Sequence, residues 1–515
     1  MPPRWSRQAG GSSQCPRAGG CRGRSHYSAS WNRLLPQPRS EGRSPVSEVQ
    51  GLSDPVGPLA SVRGLLPGVG LAFVLATYAL LAGGYAAATP PWNNPDEPAH
   101  YNYVDHVART GTLPILQPGD WDYDLLERLK HNRFTSNERV DSLRYEGWQP
   151  PLYYLLAAQV YRAAPADSQL ARIQSLRAFD IALGAAILLV AYLVAREVFR
   201  PASPGPPRPH SLTPPLSEAL ALAVPIAMVG VPMFTAMSAA ITNDALANVL
   251  AALLTLALVR LVDRPATTRS ALLLGVLLGL ALLTKLSLVV FVPLGLAAMA
   301  TGAWRRRQAA RHLAHLALLA LAVMFVVLAP WLIRQGLIYG WDDLLASKRH
   351  EVVVVGQPRF SGLSWEYVRH WTTTFFHSFW AQFGWMGIPA TDWLYRTWGA
   401  VTLAACAGLF VRTARAMGGR AKPRSVDPRP ALLAALCIGM LVAILYYNLA
   451  FEQAQGRYLF PALPAICTLL VAGWSALLHI RFSIAGPLLA GLGLVALNAY
   501  TLTRVLVPAF AAATT

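Results

Sequence analysis

The sequence predicts an all-α polytopic membrane protein of about 11 transmembrane helices, with two large exterior loops that carry short interfacial helices. Three observations predict it. Hydrophobic residues make up 54% of the 515-residue chain and charged residues only 14%, and the mean hydropathy of +0.37 is too high for a soluble chain with so few charges. Apolar runs long enough to cross a bilayer recur along the chain. Lys and Arg, which give a formal net charge of +18, gather at the ends of those runs, as the positive-inside rule requires. The same clustering argues against nucleic acid as a partner, because no basic surface interleaved with aromatic residues is present. The five cysteines have neither metal-ligand spacing nor the look of a disulfide framework.

Taken in order, residues 1–62 are rich in Arg, Ser, Pro and Gly without apolar periodicity, and are expected to be a disordered basic cytoplasmic tail. No short apolar core with a small-residue cleavage site follows the basic start, so a signal peptide is not expected. Residues 63–515 form the membrane domain. The first span, 65–88, starts inside, so the segment after it, WNNPDEPAHYNYVDHV at 92–107, emerges outside. Its adjacent carboxylates, Asp96 and Glu97, stand between Pro95 and Pro98. Proline fixes φ, and Pro98 disfavours helical geometry at Glu97, so a stiff turn is expected there, with a helix from Ala99.

The first exterior loop, 89–177, holds ten of the 26 acidic residues before Pro150, too many for a mere connector. It closes with YEGWQPPLYYLLAAQVY, whose apolar part, 152–161, is too short to span; it reads as a helix lying at the interface with its tyrosines at headgroup level. Spans follow near 178–199, 219–237 and 245–262, the middle pair joined by the short exterior turn ITNDALAN. Residues 271–304 are long for one helix and carry Lys285 in the middle, so two short helices meeting at Lys285 are expected, which spares burying an ammonium at about 2.5–3.5 kcal/mol. The span 313–337 opens the second exterior loop, 338–396, rich in tryptophan, and spans near 397–411, 431–449, 458–478 and 484–507 complete the chain.

Five stretches then carry a resemblance: NPDEPAHYNYV, EGWQPPLYYLL, AITNDALANVL, GLALLTKLS and QGRYLFPALPA, in that order from about residue 65 to 480. Together they resemble the GT-C superfamily of membrane glycosyltransferases, most closely glycosyltransferase family 39 and the dolichyl-phosphate-mannose protein mannosyltransferase-like proteins of bacteria. The resemblance implies a GT-C-like fold, a polyprenyl-phosphate sugar donor, a cavity between the outer loops and the bilayer, and a catalytic base at Asp96. It further implies inverting, single-displacement transfer to an acceptor on the extracytoplasmic face of the plasma membrane. The chain differs from the better-known protein mannosyltransferases in showing no soluble sugar-binding insertion. It differs from the aminoarabinose transferases in ending just past its last span. Whether the acceptor is a glycan, a lipid or a protein stays open.

Each candidate has a plainer alternative. Asp96 is either the base or an ordinary helix N-cap, and Glu97 is a second catalytic or positioning carboxylate. Lys285 meets the donor phosphate or snorkels from a helix end; Arg457, in QGRY, suits bidentate phosphate contact or simply marks a boundary. Asn243, Asp244, His100, Gln149 and Tyr153 are acceptor or sugar contacts, against helix capping for Asn243 and Asp244 and an aromatic belt for Tyr153 and Tyr154. No cofactor is certain; a divalent metal ion on Asp96, His100 and His106 is an option against solvated histidines. His350, Glu351, Gln357 and Arg359 are further acceptor candidates. The rival classes are a multi-span transporter or lipid flippase, for which a lysine within a span is natural, and a catalytically inert scaffold that would tolerate replacement of Asp96.

Overall fold

A computed structural model describes residues 58–135, 139–200, 214–360, 362–417, 426–478 and 483–512. Of the expected tail, residues 1–57 lie outside it, and 58–62 already belong to a helix. The described residues are mostly helical. Helix α1 (Pro58–Ala88) leads into the first long loop, which is not extended but folded into α2 (Glu97–Thr110), α3 (Tyr123–His131) and α4 (Leu152–Ala163). The loop helices enclose a small core of their own around Ala99, Leu116, Leu126, Leu129 and Leu143.

Helix α4 is short and lies where an interfacial helix was expected, but its tyrosines do not reach headgroup level. Tyr153 and Tyr154 are fully buried, because Leu152 N donates to Leu283 O at 2.9 Å and seats the helix against the membrane bundle. Helix α5 (Gln169–Phe199) begins nine residues before the predicted span, where Ser168 accepts from Ala171 N and caps it.

The span expected at 219–237 is broken in two, α6 (Pro214–Val229) and α7 (Pro232–Met237). Pro232 has no N–H to offer Met228, whose carbonyl instead accepts from Val231 N at 3.0 Å. The Val229 carbonyl is taken by Asn498 Nδ2 at 2.6 Å, so the break leaves both groups satisfied in the bundle. Helices α8 (Asp244–Leu261) and α9 (Thr268–Leu282) follow, and α10 (Phe291–Arg305) is reached through the 3₁₀ turn Leu286–Val290. The expected pair of short helices is therefore present, meeting at Lys285, whose backbone is extended at φ −155°.

Helix α11 (Ala310–Tyr339) packs on α9 at close range: a Cβ on Gly275 would stand 2.5 Å from Ala320 O. Small residues one turn apart let helices approach this closely where lipid gives no hydrophobic drive between them. The second long loop contributes α12 (Ser347–Val353), α13 (Trp365–Trp380) and a minimal antiparallel hairpin, β1 (Gln382–Phe383) with β2 (Ile388–Pro389). Then come α14 (Asp392–Met417), α15 (Arg429–Asn448), the 3₁₀ turn Gly456–Ala462 running into α16 (Leu463–Leu477), α17 (Ala485–Thr501), a π turn and α18 (Val507–Ala511).

Among the described residues, nine helical stretches are long and apolar enough to cross a membrane, and two shorter apolar helices, Leu216–Val229 and Thr268–Leu282, stand where the other two expected spans were placed. The chain is a multi-span membrane protein. Its two large apolar cores meet along α5, α8 and α16, and the open ends of these helices, with the first long loop above them, form the site.

Candidate active site

Asp96 sits immediately before α2 in left-handed geometry, φ 64° and ψ 0°, a conformation costly for a residue with a Cβ. The helix starts at Glu97, two residues earlier than expected, since Pro98 is well tolerated in a first turn. The Asp96 side chain caps nothing. Instead Oδ1 accepts from the Tyr145 hydroxyl at 3.0 Å and Oδ2 accepts from Arg457 Nη2 at 2.7 Å. The capping alternative is thus removed, and the strained turn points the carboxylate into the cleft, where its side chain keeps 27% exposure.

Glu97 points the other way. It is 0% exposed and forms a bidentate pair with Arg177 of α5, Nε to Oε1 at 2.8 Å and Nη2 to Oε2 at 2.7 Å. Trp92 N and Asn94 Nδ2 add two more donors. Arg177 spends its remaining N–H groups on the carbonyls of Ala86, Thr89 and Pro90. The pair therefore bolts the end of α1 and the start of α2 to α5, and leaves Glu97 no lone pair for a substrate.

Arg457 reaches Asp96 because Gly456 passes against α13. A Cβ there would stand 2.3 Å from Phe375 O, and Gly456 N donates to Ser378 Oγ at 2.8 Å. Gln455 Oε1 accepts from Arg457 Nε at 2.6 Å and holds the guanidinium in plane. Lys285, at the break between α9 and α10, forms an ion pair with Asp244 at the start of α8. Lys285 Nζ lies 5.8 Å and Arg457 Cζ 5.4 Å from the centroid of the Tyr458 ring. Two cations from distant parts of the chain are thus brought to one aromatic face, each already held by a carboxylate.

The other predicted residues form the frame. His100 is buried, with Nδ1 2.9 Å from the Tyr154 hydroxyl and Nε2 3.5 Å from Thr242 Oγ1. Asn243 donates to Thr284 O at 3.3 Å and meets Gln149 Oε1 at 3.5 Å, tying the turn before α8 to the break and to the first loop. Tyr153 donates to Asp180 Oδ2 at 2.8 Å deep in the core, so neither the headgroup belt nor a substrate contact describes it. His350 is packed between Trp148 and Phe451, while Glu351 and Arg359 are exposed and Gln357 is half-buried.

Burial favours the neutral form of every ionisable group here, and the partners decide which resist it. Burial would raise the Asp96 carboxyl, but the Arg457 charge, with the Tyr145 hydrogen bond, holds it below the usual carboxylate range. Burial pushes His100 down to about 4 against the pull of Asp96, so its imidazole is neutral. Glu146 goes the other way, to about 7, through burial and then the neighbouring Asp96 charge. Its Oε2 has no hydrogen-bond partner among the described residues. Glu146, Tyr145, Tyr458 and Arg177 are the site residues that pattern reading missed. The signal for the first two lay in YEGWQPP, where Gln149 alone was singled out.

The donors named for a divalent metal ion are held by other partners. Asp96 is engaged by Arg457 and Tyr145, the His100 nitrogens face Tyr154 and Thr242, and His106 Nε2 lies 3.3 Å from Thr112 Oγ1. No group of three or more His, Cys, Asp or Glu side chains placed to hold a metal ion occurs among the described residues.

Residues 214–333, which include Asp244 and Lys285, match the family described as dolichyl-phosphate-mannose-protein mannosyltransferase. Over that stretch the chain is mannosyltransferase-like. The expected resemblance is met over this stretch, which takes in two of the five motifs, AITNDALANVL and GLALLTKLS, and leaves Asp96 and Arg457 outside its limits. Among solved structures, the chain is similar to ArnT from Cupriavidus metallidurans bound to undecaprenyl phosphate, at 14% identity and a TM-score of 0.47, covering 85% of this chain and 74% of that one. It is also similar to the Archaeoglobus fulgidus oligosaccharyltransferase in the apo form, at 15% identity and a TM-score of 0.45, covering 86% of this chain and 56% of that one. A third is AglB from Archaeoglobus fulgidus with an inhibitory peptide and a dolichol-phosphate, at 14% identity and a TM-score of 0.43, covering 86% of this chain and 56% of that one. No curated protein matches the chain.

Proposed function

We propose that this protein is a membrane glycosyltransferase that moves a sugar from a polyprenyl-phosphate carrier to an acceptor on the extracytoplasmic face, with Asp96 as general base. The observation that carries the reading is the Asp96–Arg457 pair at 2.7 Å beside the Lys285–Asp244 pair, with Tyr458 facing both cations. A phosphate is an anion that competes with the two carboxylates for the two cations. When the lipid phosphate takes Arg457 and Lys285, Asp96 and Asp244 lose their partners together.

Asp96 then has a free Oδ2, with Tyr145 still oriented on Oδ1. The acceptor hydroxyl donates its proton to that oxygen as its own oxygen bonds to the anomeric carbon. The bond from that carbon to the phosphate oxygen breaks, and polyprenyl phosphate leaves with the electron pair, its charge met by Arg457 and Lys285. One base and one displacement suffice, which inverts the anomeric centre. Neutral His100 and the buried Glu97–Arg177 pair position the turn and take no proton.

The test is release of polyprenyl phosphate from radiolabelled polyprenyl-phosphate sugars by purified protein in lipid, beside Asp96→Asn. A loss of about 10²- to 10⁴-fold with donor binding retained is the expected result. Undiminished turnover in the variant would exclude Asp96 as the base. Binding of the lipid donors without release of polyprenyl phosphate, together with movement of lipid across the bilayer, would favour a flippase.

A further inference from the structure

We propose that the crevice beside the Asp96–Arg457 pair receives the sugar ring of the donor, and that Asn248 is the residue that recognises one of its hydroxyls; this rests on the glycosyl-transfer reading above. The crevice lies among Phe234, Met237, Asp244, Asn248, Arg457 and Phe460. Asn248 is only 7% exposed and lines this crevice, and its amide makes no side-chain hydrogen bond to the described residues. The amide is not among the fully enclosed unpartnered atoms; it opens into the crevice, and a largely buried amide with no protein partner is placed to bind a ligand group there.

Asn248 stands one helical turn after Asp244 on α8, so amide and carboxylate share one wall. Another wall is aromatic, Phe234 and Phe460 meeting edge to face with centroids 6.0 Å apart. Carboxylate, amide and an aromatic face together suit a sugar, which offers hydroxyls to the first two and a C–H face to the third. The phosphate is drawn to the cations Arg457 and Lys285 at the edge of the crevice, and an isoprenyl chain would leave Asn248 unsatisfied.

The space is about 10 Å³, room for roughly one water, so a ring enters only when the lining moves. The groups that would move are evident. Arg457 Nη1 rests 3.9 Å from Met237 Sδ, methionine is the most adaptable apolar side chain, and Arg457 is the cation that the phosphate draws from Asp96. Donor binding at the phosphate thereby opens the subsite for its own sugar.

Asn248→Leu and Asn248→Ala test the assignment, with the full-length protein in lipid. The probes are a polyprenyl-phosphate sugar that the wild type turns over, its single-deoxy forms, and sugar-free polyprenyl phosphate. In both variants kcat/KM for the full sugar is expected to fall about tenfold or more, while affinity for polyprenyl phosphate is unchanged. The wild type should discriminate against one deoxy form, and that discrimination should vanish in the variants. A merely structural asparagine would not shift the ratio between full and deoxy sugar. Unchanged discrimination in a folded variant overturns the subsite while leaving glycosyl transfer intact; so does a loss of polyprenyl phosphate affinity equal to the loss for the donor. A wild type that turns over no donor overturns the glycosyl-transfer reading and the subsite with it.

Discussion

Replacing Arg177 by Met is expected to be among the most damaging single changes that leave the cleft side chains in place. The guanidinium donates to both oxygens of Glu97, at 2.8 and 2.7 Å, and to three backbone carbonyls, at 2.9, 2.7 and 3.2 Å. Met fills similar volume but leaves a fully buried carboxylate without its counter-charge, which costs about 3–5 kcal/mol. Glu97→Gln alone also leaves a buried charge but keeps an acceptor and leaves Arg177 its three carbonyls, so about 3 kcal/mol, the lower end of the same range, is expected. The double variant has no buried charge and should be more stable than Arg177→Met alone, giving a favourable coupling energy of about 2 kcal/mol. The assay is denaturant unfolding of the purified protein and its three variants in one detergent. Arg177→Met within about 1 kcal/mol of wild type would refute the reasoning, as would a double variant less stable than the sum of the singles. The same variants separate the two carboxylates chemically: folded Glu97→Gln should release polyprenyl phosphate at close to the wild-type rate. If it is as inert as Asp96→Asn, Glu97 acts on the substrate.

Glu146 binds its proton more tightly folded than unfolded. Its contribution to stability is therefore present below its ordinary value of 4.5 and is lost as pH rises towards about 7. Glu146→Gln should flatten the pH dependence of unfolding across that window, and an unchanged slope would contradict the assignment. Gly456→Ala places a Cβ 2.3 Å from Phe375 O and 2.5 Å from Phe379 N, both backbone atoms that cannot yield cheaply. A loss of about 1–3 kcal/mol is expected together with weaker binding of polyprenyl phosphate, because Arg457 moves with its neighbour; thermal unfolding and a lipid-phosphate binding assay measure the two.

The sequence by itself determined the membrane class, the positions of most spans and the break at Lys285. Each follows from one local quantity, apolar run length set against the energy of an ammonium in lipid, which needs no knowledge of neighbours. It also brought forward Asp96, Lys285 and Arg457, because a charged residue at the end of an apolar run stands out wherever it occurs. What only the tertiary structure decided is which charges face each other. Asp96 and Glu97 are adjacent in the chain yet turn to opposite sides, one to an arginine 361 residues away and the other to one 80 residues away. That divergence comes from the left-handed turn at Asp96, which no periodicity encodes. The tyrosines of α4 went into the core for a similar reason: the helix is seated by a hydrogen bond to Leu283 O, and its sequence is equally suited to a lipid surface. Asn248 closes the turn ITNDALAN but did not stand out in it, because the wall it shares with Asp244 and Arg457 is assembled only by packing.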